Sequence, residues 1–267
     1  MVTVSVHFVT IKVVSPADHF VSRITARIPT PPQQREHRYD PLMAKFFLLH
    51  SPVVGPTTWR WVSEELRGMG HEAVILVISP SSTLGGWQEV VEEVAAQVTG
   101  VDDAIFVAHS GAGPLLPTIV DGSKVRGSSL VFVDAGVPAI AADTPMMPEA
   151  FLKQLSAIAT DGLLPPWSEW FGPGVMASLI PDSNQRDLIE FELPRIPLSY
   201  FYGSVPPVLK WPADRNGYVL LSDGYLDDAE EARRRGWPVV ELLGEHLDLI
   251  TKAPEVALAI VEVSSSN

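Results

Sequence analysis

The 267-residue chain contains no cysteine. Disulfides, thiolate catalysis and cysteine-based metal sites are excluded together, and the composition is compatible with a reducing cytoplasm. Positive charge is also scarce. Nineteen Lys and Arg stand against 32 Asp and Glu, a formal net charge of −13. A surface this acidic repels phosphate backbones and anionic lipid, so neither nucleic acid nor a membrane surface is expected as a partner. No apolar run reaches the roughly 18 residues that a membrane span needs. The opening "MVTVSVHFVTIKVVSPADHF" has no basic start, alternates Val with polar residues and lacks a small-x-small cleavage site, so it does not read as a secretory signal. A cytoplasmic location is expected. There is no G-x-x-x-x-G-K-S/T, no G-x-G-x-x-G after the first strand and no H-E-x-x-H, so no cofactor or metal is indicated.

What is present is a globular composition, 46% hydrophobic and 19% charged, in a chain long enough for one large α/β domain with a substantial core. Residues 1–42 stand apart. Alternation at Val2, Val4, Val6 and Phe8 suggests a strand, and "IPTPPQQREHRYDP" is a Pro- and charge-rich linker. From Met43 to the end, residues 43–267, strands and helices alternate. "KFFLLH", "EAVILVI", "AIFVA", "SSLVFVDAG", "YVLLS" and "PVVELL" read as strands. "TTWRWVSEELRGMG" reads as a helix capped by Thr57 or Thr58. Residues 88–98 put Val90, Val91, Val94, Ala95 and Val98 on one helical face. "DDAEEARRRG", with Asp227 and Asp228 at its dipole-favoured start and Gly236 at its end, and residues 254–262 are further helices. Residues 139–197 break the rhythm with eight prolines, Trp167, Trp170 and the pair Met146 and Met147, as an inserted helical cap would. No internal repeat is visible. Such alternation specifies a doubly wound, mostly parallel sheet covered on both faces, whose ligands gather beyond the carboxyl ends of its strands. Ser110, Asp134 and His246 all lie at those ends.

The chemistry centres on "IFVAHSGAGPLLPTI", residues 105–119. A serine hydroxyl needs a base within hydrogen-bond reach and an orienting partner for that base. A sharp strand-to-helix turn exposes the serine but demands small residues two before and two after it. Ala108 and Ala112 meet that demand, and Gly111 and Gly113 add further room. The helix that follows aims backbone N–H groups at developing negative charge.

Together "LLHSPVVG", "AHSGAG", "FVDAGVP" and "LLGEHL", in that order over residues 43–263, resemble the α/β-hydrolase superfamily of serine-hydrolase type. The resemblance implies Ser110 as nucleophile and His246, in the loop after the last strand, as base. It implies two positions for the acid. Asp134, after the strand that follows the elbow helix, is preferred to Asp223 in "LLSDGYLDD", where a count of three from Ser222 lands on Tyr225. Gly111 would donate one N–H to the oxyanion. The second donor normally comes from the loop after the early strand, but Pro52 has no N–H. That role then passes to Val53 or to the Ser51 hydroxyl. His109 would line the pocket or pack beneath it, and His50 would brace the oxyanion loop. Trp167, Trp170, Phe171 and the two methionines would form either cap core or an apolar pocket lining. The pieces "HSPVVGPTTW" and "ARRRGWPV" also resemble a bacterial, actinomycete-like group of α/β-hydrolases, which hands over no substrate.

The expected activity is cofactor-independent serine hydrolysis of a small to medium, fairly apolar carboxylic ester, lactone or thioester. One alternative keeps the scaffold for C–C cleavage, a lyase step or cyclisation in secondary metabolism. Another is a non-catalytic protein that binds a small molecule in its cavity. Oligomeric state is not legible in the sequence.

Overall fold

Continuous apolar runs, rather than alternating ones, specify strands that are covered on both faces. The computed structural model describes residues 12–13, 43–126, 128–208 and 210–265. Its strands are β1 (Lys12–Val13), β2 (Lys45–Leu49), β3 (Glu72–Leu76), β4 (Ile105–Ser110), β5 (Ser129–Ala135), β6 (Thr144–Pro145), β7 (Ser204–Val205), β8 (Arg215–Leu220) and β9 (Val239–Glu241). The helices are α1 (Arg60–Gly68), α2 (Ser82–Gly85), α3 (Trp87–Gln97), α4 (Leu116–Ser123), α5 (Glu149–Ile158), α6 (Val175–Leu179), α7 (Ser183–Glu192), α8 (Leu226–Arg234), α9 (Asp248–Thr251) and α10 (Ala253–Ser265). The strand expected over residues 2–8 and the Pro-rich linker lie outside the described residues.

The main sheet runs β1-β9-β8-β5-β4-β2-β3. From β9 to β3 every pairing is parallel, and β1 joins the β9 edge antiparallel. Strand residues divide by parity between two cores. Phe47, Leu49, Phe106, Ala108, Phe132 and Leu220 pack with α3, α4 and α8 on one face. Phe46, Leu48, Val107, Val131, Val133 and Val219 pack with α1 and α10 on the other. This two-sided burial is why β4 and β5 contain almost no polar residue until their carboxyl ends.

Between β5 and β8 the chain leaves the sheet. Helices α5 to α7 and 3₁₀ turns at Trp167–Glu169 and Leu198–Tyr202 fill the interval. The two-residue strands β6 and β7 pair antiparallel, so this ribbon extends the excursion as far as Val205. Met176, Ile180 and Ile189 anchor α6 and α7 to the α1 and α10 core, while Leu155 of α5 joins the core on the other face.

Neither Thr57 nor Thr58 caps α1. A 3₁₀ turn over Pro56–Trp59 precedes the helix, and the Thr58 hydroxyl folds back onto the Gly55 carbonyl at 2.8 Å. The Thr57 hydroxyl and N–H both go to the Glu192 carboxylate, at 2.7 and 3.0 Å. Charge-assisted bonds of this kind outcompete a neutral cap, and the partner comes from α7, 135 residues away.

Candidate active site

Ser110 ends β4 with φ +58°, in the left-handed region that L-residues seldom adopt. The turn is feasible because its neighbours are small. Ala108 and Ala112 are fully buried. Gly113 is essential to the turn, since a Cβ there would sit 2.2 Å from the Gly136 carbonyl oxygen. A Cβ on Gly111 would meet the Ser51 hydroxyl at 3.2 Å, which brings the loop after β2 against the elbow.

The structure brings Ser110, His246 and Asp134 together. Ser110 Oγ lies 3.0 Å from His246 Nε2, and His246 Nδ1 lies 2.7 Å from Asp134 Oδ2. Asp134 is fully buried at the end of β5. Its Oδ1 accepts the N–H groups of Leu221 and Ser222 at 2.8 and 2.9 Å, and its Oδ2 accepts the Ser222 hydroxyl at 2.5 Å. Burial alone would raise this carboxyl, but the hydrogen bonds from His246 and Ser222 outweigh it and hold Asp134 below the usual carboxylate range. A carboxylate only accepts, so His246 carries its proton on Nδ1 and offers Nε2 as acceptor to the Ser110 hydroxyl. Asp223 is not brought to His246. It opens a short 3₁₀ turn over Asp223–Tyr225 on the exposed side of the β8 loop.

Around this chain of bonds lies a cavity of about 780 Å³. Ser51, Val53 and Gly111 line it beside Ser110, and Trp167, Trp170 and Phe171 line it from the excursion above the sheet. The Trp167 ring centre is 6.5 Å from that of His246. The remaining walls are chiefly Met, Val, Leu, Pro and Phe, so the cavity suits an apolar ligand. One carboxyl also borders it. Asp228, on the first turn of α8, accepts the Val137 N–H at 2.7 Å and is pushed above the usual range by its burial.

His109 does not line the cavity. Its buried ring stacks on His246 with centres 4.4 Å apart, edges against Trp59 and donates from Nε2 to the His246 carbonyl at 3.1 Å. Strand alternation turns this side chain to the face opposite its neighbours and under the imidazole. Burial, with His246 beside it, pushes His109 down to about 3, so it stays neutral. His50 is likewise buried and lowered. Its Nε2 accepts the Ile78 N–H at 3.1 Å and its Nδ1 donates to the Ser51 carbonyl at 2.9 Å, which ties down the loop that carries Pro52.

Tyr225 belongs to the site although the sequence reading gave it no role. Its hydroxyl is 3.1 Å from Ser110 Oγ, and its ring stacks with His246 at 5.2 Å between centres and 12° between planes. The signal was its place three residues beyond Ser222, where the resemblance anticipates an acid.

Among the described residues no group of three or more His, Asp or Glu side chains is arranged to hold a metal ion, and no helix is long and apolar enough to cross a membrane.

No family model matches the chain. A carbendazim hydrolyzing esterase from Nocardioides sp. (strain SG-4G) is 31% identical over 109 residues, which span 36% of this chain and 43% of that protein's length. An extracellular α/β-hydrolase from a Paenibacillus species superposes with a TM-score of 0.67 at 14% identity, over 84% of this chain and 100% of the other. Tomato methylketone synthase I, in complex with 2-tridecanone, superposes with a TM-score of 0.62 at 13% identity, over 82% of this chain and 97% of the other. The chain therefore has the α/β-hydrolase fold.

Proposed function

We propose that this α/β-hydrolase-fold chain is a cofactor-independent serine hydrolase, acting on a small to medium, apolar carboxylic ester, lactone or thioester. The observation that carries the proposal is the unbroken Ser110–His246–Asp134 hydrogen-bond chain opening on an apolar cavity. In this reading Ser110 Oγ attacks the carbonyl carbon while His246 Nε2 takes its proton. Asp134 holds the imidazole in the required tautomer and stabilises the imidazolium without itself becoming protonated. The carbonyl oxygen, now negative, accepts from the Gly111 N–H and from the Val53 N–H or Ser51 hydroxyl of the neighbouring loop. Collapse expels the alcohol or thiol, which takes the proton from His246. Water then hydrolyses the acyl-enzyme by the same route. Trp167 and Trp170 would hold the acyl or alcohol portion and exclude solvent. A small-molecule substrate and a cytoplasmic setting belong to the same proposal, the latter supported by the absence of cysteine.

The test is a fluorophosphonate probe combined with p-nitrophenyl esters of two to eight acyl carbons. Labelling at Ser110 with turnover of the esters is the expected result. A folded protein that neither labels nor turns over would overturn it.

A second reading, C–C cleavage or a lyase step on the same scaffold, is favoured by one observation. Pro52 removes an N–H from the loop that normally completes the oxyanion site. The likeness in fold to methylketone synthase I shows that this scaffold serves proteins not named as esterases. Labelling of Ser110 without turnover of any ester in the series would favour this alternative.

A further inference from the structure

Ser110 Oγ has one proton and two polar neighbours. The unprotonated Nε2 of His246, 3.0 Å away, can only accept, so it takes the serine proton. The Tyr225 hydroxyl, 3.1 Å away, must then donate to a serine lone pair. We infer that Tyr225 is a further catalytic residue, whose hydroxyl donates to Ser110 Oγ while that oxygen carries negative charge. This inference rests on the reading of Ser110 as the nucleophile.

Three features support the role. First, a hydrogen bond to a charged acceptor is stronger than one to a neutral acceptor, so the Tyr225 bond tightens when Oγ becomes partly anionic. Second, the residue keeps its proton. Burial pushes Tyr225 up to about 12, even though its bond to Ser110 acts in the other direction. Third, the ring is fixed, because it stacks on His246 and its residue closes the 3₁₀ turn that leads directly into α8. With Asp134 bonded to the imidazole from β5, the loop after β8 is free to supply a phenol instead of a carboxylate.

The steps balance without any net transfer from Tyr225. In acylation the Oγ–C bond forms as the serine proton passes to His246 Nε2 and the C=O π pair moves onto the carbonyl oxygen. That pair returns as the bond to the departing alcohol breaks, and the alcohol oxygen takes the proton from His246. In deacylation water gives a proton to His246 and its oxygen bonds to the acyl carbon. Ser110 Oγ is then the leaving oxygen and recovers a proton from His246. Tyr225 donates to Oγ during attack and again during departure, which is where charge on that atom peaks.

The experiment compares wild type with Tyr225→Phe, which keeps the ring on His246 and removes only the hydroxyl. Fluorophosphonate labelling and ester kcat should both fall about ten- to a hundredfold with KM little changed, the size expected for loss of one hydrogen bond to a charged oxygen. Fluorotyrosine placed at 225 alone supplies a second measurement, because it keeps the donor but makes it more acidic. Its labelling rate should match wild type at neutral pH and fail at a lower alkaline pH. Labelling of Tyr225→Phe at the wild-type rate or faster overturns the inference and leaves the Ser110 reading intact, as does a fluorotyrosine profile that coincides with wild type. Failure of the wild type itself to label overturns the Ser110 reading, and with it this one.

Discussion

Ser110, the last residue of β4, and Asp134, next to last in the neighbouring β5, both have a positive φ, +58° and +43°. The β4–β5 register explains the pairing. His109 faces Val133, but Ser110 faces Ala135, so Asp134 is the extra residue of a bulge. A bulge re-aims a side chain that regular alternation would direct elsewhere. Here it frees the Asp134 carboxylate to reach His246 across the sheet edge. Two positive-φ residues on adjacent strands, one of them lining the cavity, are where function would be sought on backbone grounds alone.

Substitution should separate the two acids that the sequence left in contention. We expect Asp134→Asn to lower kcat by about 10³- to 10⁴-fold, since the amide favours the wrong imidazole tautomer. Ser110→Ala and His246→Ala should abolish fluorophosphonate labelling, while Asp223→Asn should leave ester turnover essentially unchanged. A larger loss from Asp223→Asn than from Asp134→Asn would sink the assignment.

The lowered Asp134 carboxyl has a consequence for stability in acid. Its folded-state pKa lies below the unfolded value of about 3.9, so its contribution is fully present above that pH and disappears as pH falls through the folded value. Urea denaturation followed down to about pH 3 should therefore show the wild type losing stability more steeply than Asp134→Asn. Parallel curves for the two proteins would contradict this.

Gly113 should be intolerant of even one methyl group. Its added Cβ would meet backbone, the Gly136 carbonyl oxygen, and backbone cannot swing away as a side-chain tip can. We expect Gly113→Ala to lose about 1–3 kcal/mol in chemical denaturation, the usual scale of overpacking. An unchanged denaturation midpoint would show that the elbow relaxes.

Trp167 should govern binding more than chemistry. It borders the cavity near His246 without hydrogen-bonding to the reacting groups. Trp167→Ala should raise KM for the eight-carbon ester roughly tenfold with kcat retained, as expected when apolar contact is lost equally from ground and transition states. A fall in kcat at constant KM would instead assign the ring a part in positioning His246.

By itself the amino-acid order determined the layered parallel sheet and the elbow. These depend on local signals: continuous apolar runs with glycine stops, and a serine flanked by Ala108, Gly111, Ala112 and Gly113. It also limited the acid to two residues. Three-dimensional packing brings one of the two, Asp134, against His246, because a one-residue bulge in β5 leaves no mark in local pattern and depends on how two strands pair. The position of His109 was likewise settled by packing, which set it beneath the imidazole and not on the cavity wall. Tyr225 could not have been found from spacing alone. Its hydroxyl meets Ser110 across 115 residues of chain, and such a contact is created only when β4 and the loop after β8 reach the same edge of the sheet.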